Sequence, residues 1–244
     1  MKKIIFCALI VLASFELYAN NDRIREDIRN QSLGQRKILR YKEAKIYLFG
    51  ELHIEEDQTN GFYIKDVYCE KIYNSSNALV GPNAMPDQNK LNCEHTWPQS
   101  KFVKDKNNRA VEDAQLSDLH HLFPSEKNAN QIRANYDFAN VITDLNLGSN
   151  CTASKSGQSK NQVGNYYFEP PKNHKGNVAR AIFYFSVHYQ LPIDSVQETT
   201  LRAWDKLDPI DEQERERNDK IEKIQGNRNP FVDYPNLADQ VKDF

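Results

Sequence analysis

Glu94 and His95 are neighbours in the stretch Asn92-Cys93-Glu94-His95-Thr96-Trp97-Pro98-Gln99-Ser100. On a strand, adjacent side chains point to opposite faces, so the two can cooperate only where the backbone twists or where one of them acts through a metal. A hard cation meets the second condition. Glu94 offers it a carboxylate oxygen, and a neutral His95 beside it can take the proton of an attacking water. The plainer alternative is a surface carboxylate next to a structural histidine packed on Trp97.

A second group follows in Ser117-Asp118-Leu119-His120-His121-Leu122-Phe123-Pro124-Ser125. Two histidines and an aspartate invite a zinc reading together with His95. The spacing, however, lacks the paired histidines one helical turn apart, and no cysteine is close in sequence. Asp118 and His120 read better as hydrogen-bonding partners that orient the loop. Further on, Asn130 and Arg133 are three residues apart, which puts them on one face of a helical turn. An amide oxygen as a second ligand, added to one carboxylate, would leave an ion with open positions for water and phosphate oxygens.

These residues need a scaffold, and 39% hydrophobic and 11% aromatic content supplies a core and argues against general disorder. Lys2 and Lys3 before an apolar run from Ile4 to Phe15, ending near Leu17-Tyr18-Ala19, read as a secretory signal peptide over 1–19. A single domain over 20–244 is expected to follow. No later segment is apolar enough to span a bilayer, so the mature form is expected to be monomeric, free of the membrane, and periplasmic or secreted. A net charge of −2 does not advertise nucleic-acid binding, although a local basic groove would suffice. Spaced apolar residues predict one or two amphipathic helices over 20–50 and a buried helix over 175–189 carrying Arg180. A helix, a turn at Asp208-Pro209 and a second, exposed helix from about Asp211 come next. Asp66 to Cys69 reads as a short strand, and the polar stretches 74–92 and 146–165 read as loops. Gly226 and Pro230 mark a turn that Arg228 would lock onto the domain, and Glu169 is a candidate partner for Arg180. Of Cys69, Cys93 and Cys151, the preferred bridge is Cys69 with Cys93; Cys93 with Cys151 is the alternative.

Several separated motifs, in order, resemble the bacterial endonuclease I family of periplasmic and secreted nucleases. They are the segment 92–100, Asp118 to Ser125, Arg133-Ala134-Asn135-Tyr136, Phe168-Glu169-Pro170-Pro171, Lys175 to Arg180, and Gln225 to Phe231. The resemblance implies an α+β fold, a mostly helical single domain built around a ββα-metal (His-Me finger) motif. It implies His95 as general base, Glu94 and Asn130 as ligands of Mg2+ (with Mn2+ or Ca2+ as substitutes), and an arginine that steadies the phosphate. Arg109, Arg133 and Arg180 are the candidates for that arginine, with Arg133 preferred because it sits beside Asn130. The implied activity is hydrolysis of DNA, with RNA left open, to 5′-phosphate and 3′-hydroxyl ends with little sequence preference. Two other readings stand beside it: an exported nucleic-acid-binding protein without turnover, and a zinc hydrolase built on His95, His120 and His121. A free imidazole titrates near about 6.5, which predicts a mildly alkaline optimum.

Overall fold

The fold is described by a computed structural model covering residues 21–104, 109–144, 151–160 and 162–244; the segment 1–19, read as a signal peptide, lies outside the described residues. The chain enters through helix α1 over 21–33 and α2 (Tyr41–Tyr47), which widens into a π-turn at Leu48–Leu52. This agrees with the amphipathic reading of 20–50. A three-stranded antiparallel sheet follows, formed by β1 (Glu55–Asp57), β2 (Gly61–Lys65) and β3 (Ile72–Asn74), with the short helix α3 (Ser75–Ala78) after it.

Residues 66–69 are a turn and not the expected strand. The Asp66 carboxylate accepts from the backbone N–H groups of Tyr68, Cys69, Lys71 and Glu126. That local bonding offers the backbone an alternative to a sheet ladder.

The part of the fold that matters most for chemistry is the antiparallel hairpin of β4 (Leu91–His95) and β5 (Leu122–Glu126), in which Glu94 pairs with Phe123 and His95 with Leu122. Helix α4 (Arg109–Leu116) lies between the two strands in sequence. Helix α5 (Lys127–Arg133) follows β5 directly, capped by Glu126 through the Ala129 N–H. Beyond it, β6 (Asp137–Phe138), β7 (Thr143–Asp144), β8 (Lys155–Ser159) and β9 (Gln162–Glu169) make a four-stranded sheet in the order β6-β9-β8-β7. The polar stretch expected as a loop therefore contributes two strands. Its small residues permit close approach: a Cβ on Gly157 would lie 1.6 Å from the Thr143 carbonyl oxygen. Residues 145–150 and 161 of that stretch lie outside the described residues.

Helix α6 spans Lys175–Tyr189, as its spacing predicts, and 13 of its 15 residues are buried. A helix apolar on most sides belongs in a core. Phe183 and Phe185 pack there with Trp97, Phe102, Trp204, Phe231 and Phe244, and the Trp97 and Phe185 rings stack at 5.1 Å. A second apolar cluster gathers Leu48, Phe49, Ile64, Leu91, Leu119, Leu122 and Ile221, so the hairpin is braced from both ends of the chain. Helices α7 (Ser195–Leu207), α8 (Glu212–Gln225) and α9 (Pro230–Asp233) complete the fold. The second helix expected after Asp208-Pro209 is α8, and it is not wholly exposed: it buries Glu214, Asn218, Ile221 and Gln225. It ends at Gly226, whose φ of +88° favours glycine and where a Cβ would meet the Gln35 carbonyl oxygen at 2.5 Å. The result is a mixed α/β single domain with small sheets among the helices.

The bridge joins Cys69 to Cys151, 82 residues apart, and Cys93 is a buried free thiol. This replaces both expected pairings. Cys93 lies in the middle of β4, where burial pushes its thiol up to about 12, while the turn held by Asp66 presents Cys69 to the segment before β8. Arg180 pairs with Glu214 and Asp205, and Glu169 with Lys175. The expected Arg180–Glu169 contact is thereby corrected: the buried guanidinium meets the acids of α7 and α8. Arg228 locks the C-terminal turn through Asp233, Glu222 and Asp219, as the sequence suggests.

Candidate active site

His95 is the last residue of β4, and its ring is held by the end of α4. The last four carbonyls of a helix have no partner within it; the Leu116 carbonyl accepts from His95 Nε2 at 3.1 Å. That bond assigns the ring proton to Nε2 and leaves Nδ1 with its lone pair. Nδ1 accepts from the Gln99 amide at 3.1 Å. Burial, with His121 and Arg133 nearby, pushes the imidazole down to about 3, so it is neutral throughout the ordinary pH range. The expectation of an optimum set by a titration near 6.5 is corrected by this burial.

Glu94 points to the other face of the strand and is 2% exposed. Its Oε1 accepts from the Tyr68 hydroxyl at 2.8 Å and lies 3.0 Å from Arg133 Nη1. The His95 backbone N–H also bonds to this carboxylate, and no side chain donates to its Oε2 among the described residues. Burial pushes the carboxyl above its ordinary range, against the pull of Arg133 and Tyr68. Asn130, on the second turn of α5, donates its amide nitrogen to the Cys93 carbonyl at 3.4 Å, which leaves its Oδ1 uncommitted among the described residues.

Glu94, His95 and Asn130 line one open cavity of about 360 Å3, together with Cys93, Pro98, Gln99, Ser100, Arg133, Ala134 and Asn135. The strand periodicity that separates Glu94 from His95 is overcome because the cavity opens at the end of β4, where both faces are reached. One carboxylate oxygen and one amide oxygen form a donor set that fits a hard cation keeping several waters.

Arg133 is the residue whose place spacing could not give. Its side chain is 2% exposed. It donates to the His95 carbonyl at 2.9 Å and the Thr96 carbonyl at 2.5 Å, lies against Glu94, and sits over the Phe138 ring at 4.6 Å. Arg180 is equally buried and committed to Glu214 and Asp205, whereas Arg109, at the start of α4, is exposed.

The other two histidines of the zinc reading are each committed to a backbone carbonyl. His120 Nε2 donates to the Asn227 carbonyl at 3.1 Å and His121 Nε2 to the Gln115 carbonyl at 2.8 Å. Among the described residues no group of three or more His, Cys, Asp or Glu side chains is arranged to hold a metal ion. Asp118 accepts from the His120 backbone N–H, Gln225, Tyr184 and Tyr189, and pairs with Arg36 at 3.3 Å. The orienting role expected of it is therefore carried by residues far away in sequence. Tyr68 and Gln99 were missed by the sequence reading. Gln99 stood in the motif without a role, and nothing in the spacing connects Tyr68 to Glu94.

Against known proteins, the model of the family described as Endonuclease I matches residues 20–236. The chain belongs to the endonuclease I family. It is 33% identical over 172 residues to an extracellular ribonuclease of Bacillus subtilis, covering 62% of this chain and 53% of that protein. Over 117 residues it is 37% identical to an extracellular deoxyribonuclease of Aeromonas hydrophila, 48% of each. An endonuclease-1 of Buchnera aphidicola matches at 27% over 195 residues, 79% of this chain and 74% of its own length. The chain spans about half the length of the first two of these relatives. Within the endonuclease I family, then, its open cavity with an imidazole, a carboxylate and an amide is the place to look for chemistry. Among the described residues no helix is long and apolar enough to cross a membrane.

Proposed function

We propose that this protein is an exported endonuclease that hydrolyses phosphodiester bonds of DNA, and of RNA where the groove admits it, with Mg2+ held by Glu94 and Asn130. One observation carries the reading: the Leu116 carbonyl fixes His95 so that its Nδ1 lone pair, which accepts from the Gln99 amide, lies in the same cavity as the Glu94 carboxylate and the Oδ1 of Asn130. The hairpin β4–β5 followed at once by α5 supports assignment to the ββα-metal, or His-Me finger, class. The printed names of the relatives include both a ribonuclease and a deoxyribonuclease, which supports a site that reads the sugar-phosphate backbone and not base sequence. The run over 1–19 supports export to the periplasm or the medium. Action as a monomer is part of the same proposal.

In this mechanism His95 Nδ1 accepts a proton from water, which attacks phosphorus in line; the products carry 5′-phosphate and 3′-hydroxyl ends. Gln99 must leave Nδ1 or hand its place to that water. Tyr68 and Arg133 hold Oε1 of Glu94 so that Oε2 faces the cavity, and Arg133 clamps the turn after His95 through two carbonyls. Arg133 is thus a positioning residue, and because it also lines the cavity it is the arginine we assign to the phosphate. When bound, Mg2+ would supply positive charge for a non-bridging and a leaving oxygen.

The test is incubation of the mature protein with supercoiled plasmid and with RNA, in Mg2+ or in EDTA. Nicking in Mg2+ that EDTA abolishes is the expected result. Absence of cleavage with any divalent ion would leave a binding protein, and cleavage that survives EDTA would sink the metal assignment.

A further inference from the structure

Next to the cleft lies a second open cavity of about 360 Å3, lined by Asn135, Tyr136, Asp137, Tyr166, Tyr167 and Asp194 among others. It adjoins the His95 cavity directly, because Asn135 lines both. Two structural features tie them together. At the end of α5, Ala134 adopts φ +47° and turns the chain so that Asn135 and Tyr136 stand at the shared rim. Lys101, in the turn after Gln99 and Ser100, pairs with Asp137 at 2.5 Å and so links the wall of one cavity to the wall of the other.

The chemistry of this second cavity differs from that of the first. Tyr136 and Tyr166 lie with ring centroids 6.0 Å apart, tilted by 34°, and Tyr166 is 41% exposed. A half-buried tyrosine beside an exposed one in a groove is a platform for a flat ring. Asp137, paired with Lys101 through Oδ1, and Asp194, which caps α7 through Oδ1, are poor company for a phosphate but keep Oδ2 as an acceptor for exocyclic amines and ring N–H groups, and the amide of Asn135 can donate or accept. The occupant that fits is therefore an uncharged heterocycle able to form hydrogen bonds, attached to a backbone that continues into the His95 cleft.

We propose that Tyr136 and Tyr166 form a stacking subsite for one unpaired nucleobase next to the phosphate that is cut, so that single-stranded nucleic acid is held better than duplex. This rests on the nuclease reading above and adds the substrate class. A base inside a duplex has its faces covered by its neighbours and cannot enter, whereas an unpaired base offers both faces.

Binding is measured by fluorescence anisotropy of labelled short oligo-dT and oligo-U in EDTA, so that no strand is cut, against an abasic strand of the same length and against a duplex. The wild type is expected to bind the base-bearing strands about five- to a hundredfold tighter than the abasic one, the span that stacking of a single base covers. Tyr136→Ala and Tyr166→Ala should erase that difference while leaving abasic and duplex binding in place, and Tyr166→Phe should restore it. With Mg2+ present, the alanine variants should raise KM on single strands and leave kcat on duplex plasmid near wild type. Equal losses on all ligands, or none, would overturn the proposal. If the wild type cuts nucleic acid yet does not distinguish abasic from base-bearing strands, the subsite alone fails. If it shows that discrimination but never cuts, the nuclease reading fails instead.

Discussion

His95 and His121 face each other with ring centroids 5.4 Å apart, and both are anchored in the same way. Each donates its Nε2–H to a carbonyl at the end of α4, His95 to Leu116 and His121 to Gln115. The difference lies at the other nitrogen. Nδ1 of His95 accepts from Gln99 and opens onto the cleft beside Glu94 and Asn130, whereas Nδ1 of His121 is sealed in the core without a hydrogen-bond partner among the described residues, against Phe185 at 4.4 Å. Two neutral imidazoles with matching anchors thus differ at the second nitrogen, in partner and in access. A tautomer-fixing carbonyl does not mark a base unless the second nitrogen can reach a substrate.

The largest expected effect breaks this pair apart. His95→Ala should lower kcat by about 10²- to 10⁴-fold, the usual contribution of a general base, beside a stability cost of about 1–3 kcal/mol for the stranded Leu116 carbonyl. His121→Ala should cost a similar amount of stability for the stranded Gln115 carbonyl but less than about tenfold in kcat. Plasmid nicking and thermal melts on both variants decide it, and equal kinetic losses would erase the distinction.

Behind His121 stands the buried carboxylate of Asp118. Burial alone would raise it, but Arg36 and the surrounding histidines hold it well below the usual carboxylate range. Asp118→Asn strands Arg36 and should destabilise the fold by about 3–5 kcal/mol, readable as a lowered denaturation midpoint. A midpoint within error of wild type would mean that this network is not what braces the sealed side.

A smaller and reversible effect comes from pH. Burial pushes His120 down to about 3 and His121 and His188 down to about 4, from an ordinary value of 6.5. The unfolded chain therefore binds protons on these rings at a pH where the folded chain does not. Their contribution to stability is complete above about pH 6.5 and is lost as pH falls toward 4, by up to about 1.4 kcal/mol per pH unit for each ring. Melting temperatures should be level from neutral to mildly alkaline pH and fall steeply below 6.5. A level profile down to pH 5 would show that these rings are not sealed. Acid should thus end activity by unfolding the protein, since His95 itself stays neutral.

The smallest effect concerns Cys93, which touches the cleft yet is 9% exposed with its thiol pushed up to about 12. The native, unreduced mature protein, lacking 1–19, should take up no iodoacetamide at pH 8, and its unfolded form one equivalent. Rapid labelling of the native form would place Cys93 on the open side of the comparison.

Much of this was legible in the sequence because it is local. The spacing of Val178, Ile182 and Phe185 announced α6 to within its observed ends, and Gly226 announced a turn, where α8 ends. Glu94 and His95 stood out by type. The strands β8 and β9 were hidden because Ser, Gly and Gln carry no apolar alternation, and their pairing depends on β6 and β7 being beside them. The turn at Asp66 was mistaken for a strand because one carboxylate outweighs a weak propensity.

The order of residues alone fixed which side chains could act as base and ligand, since functional-group chemistry does not depend on folding, and it fixed the helices whose periodicity is strong. Only the tertiary structure decided which histidine is open and which is sealed, that Arg133 serves Glu94, and that Cys69 reaches Cys151. Each of those outcomes depends on groups brought together from distant positions by burial, and burial is a property of the whole packed chain.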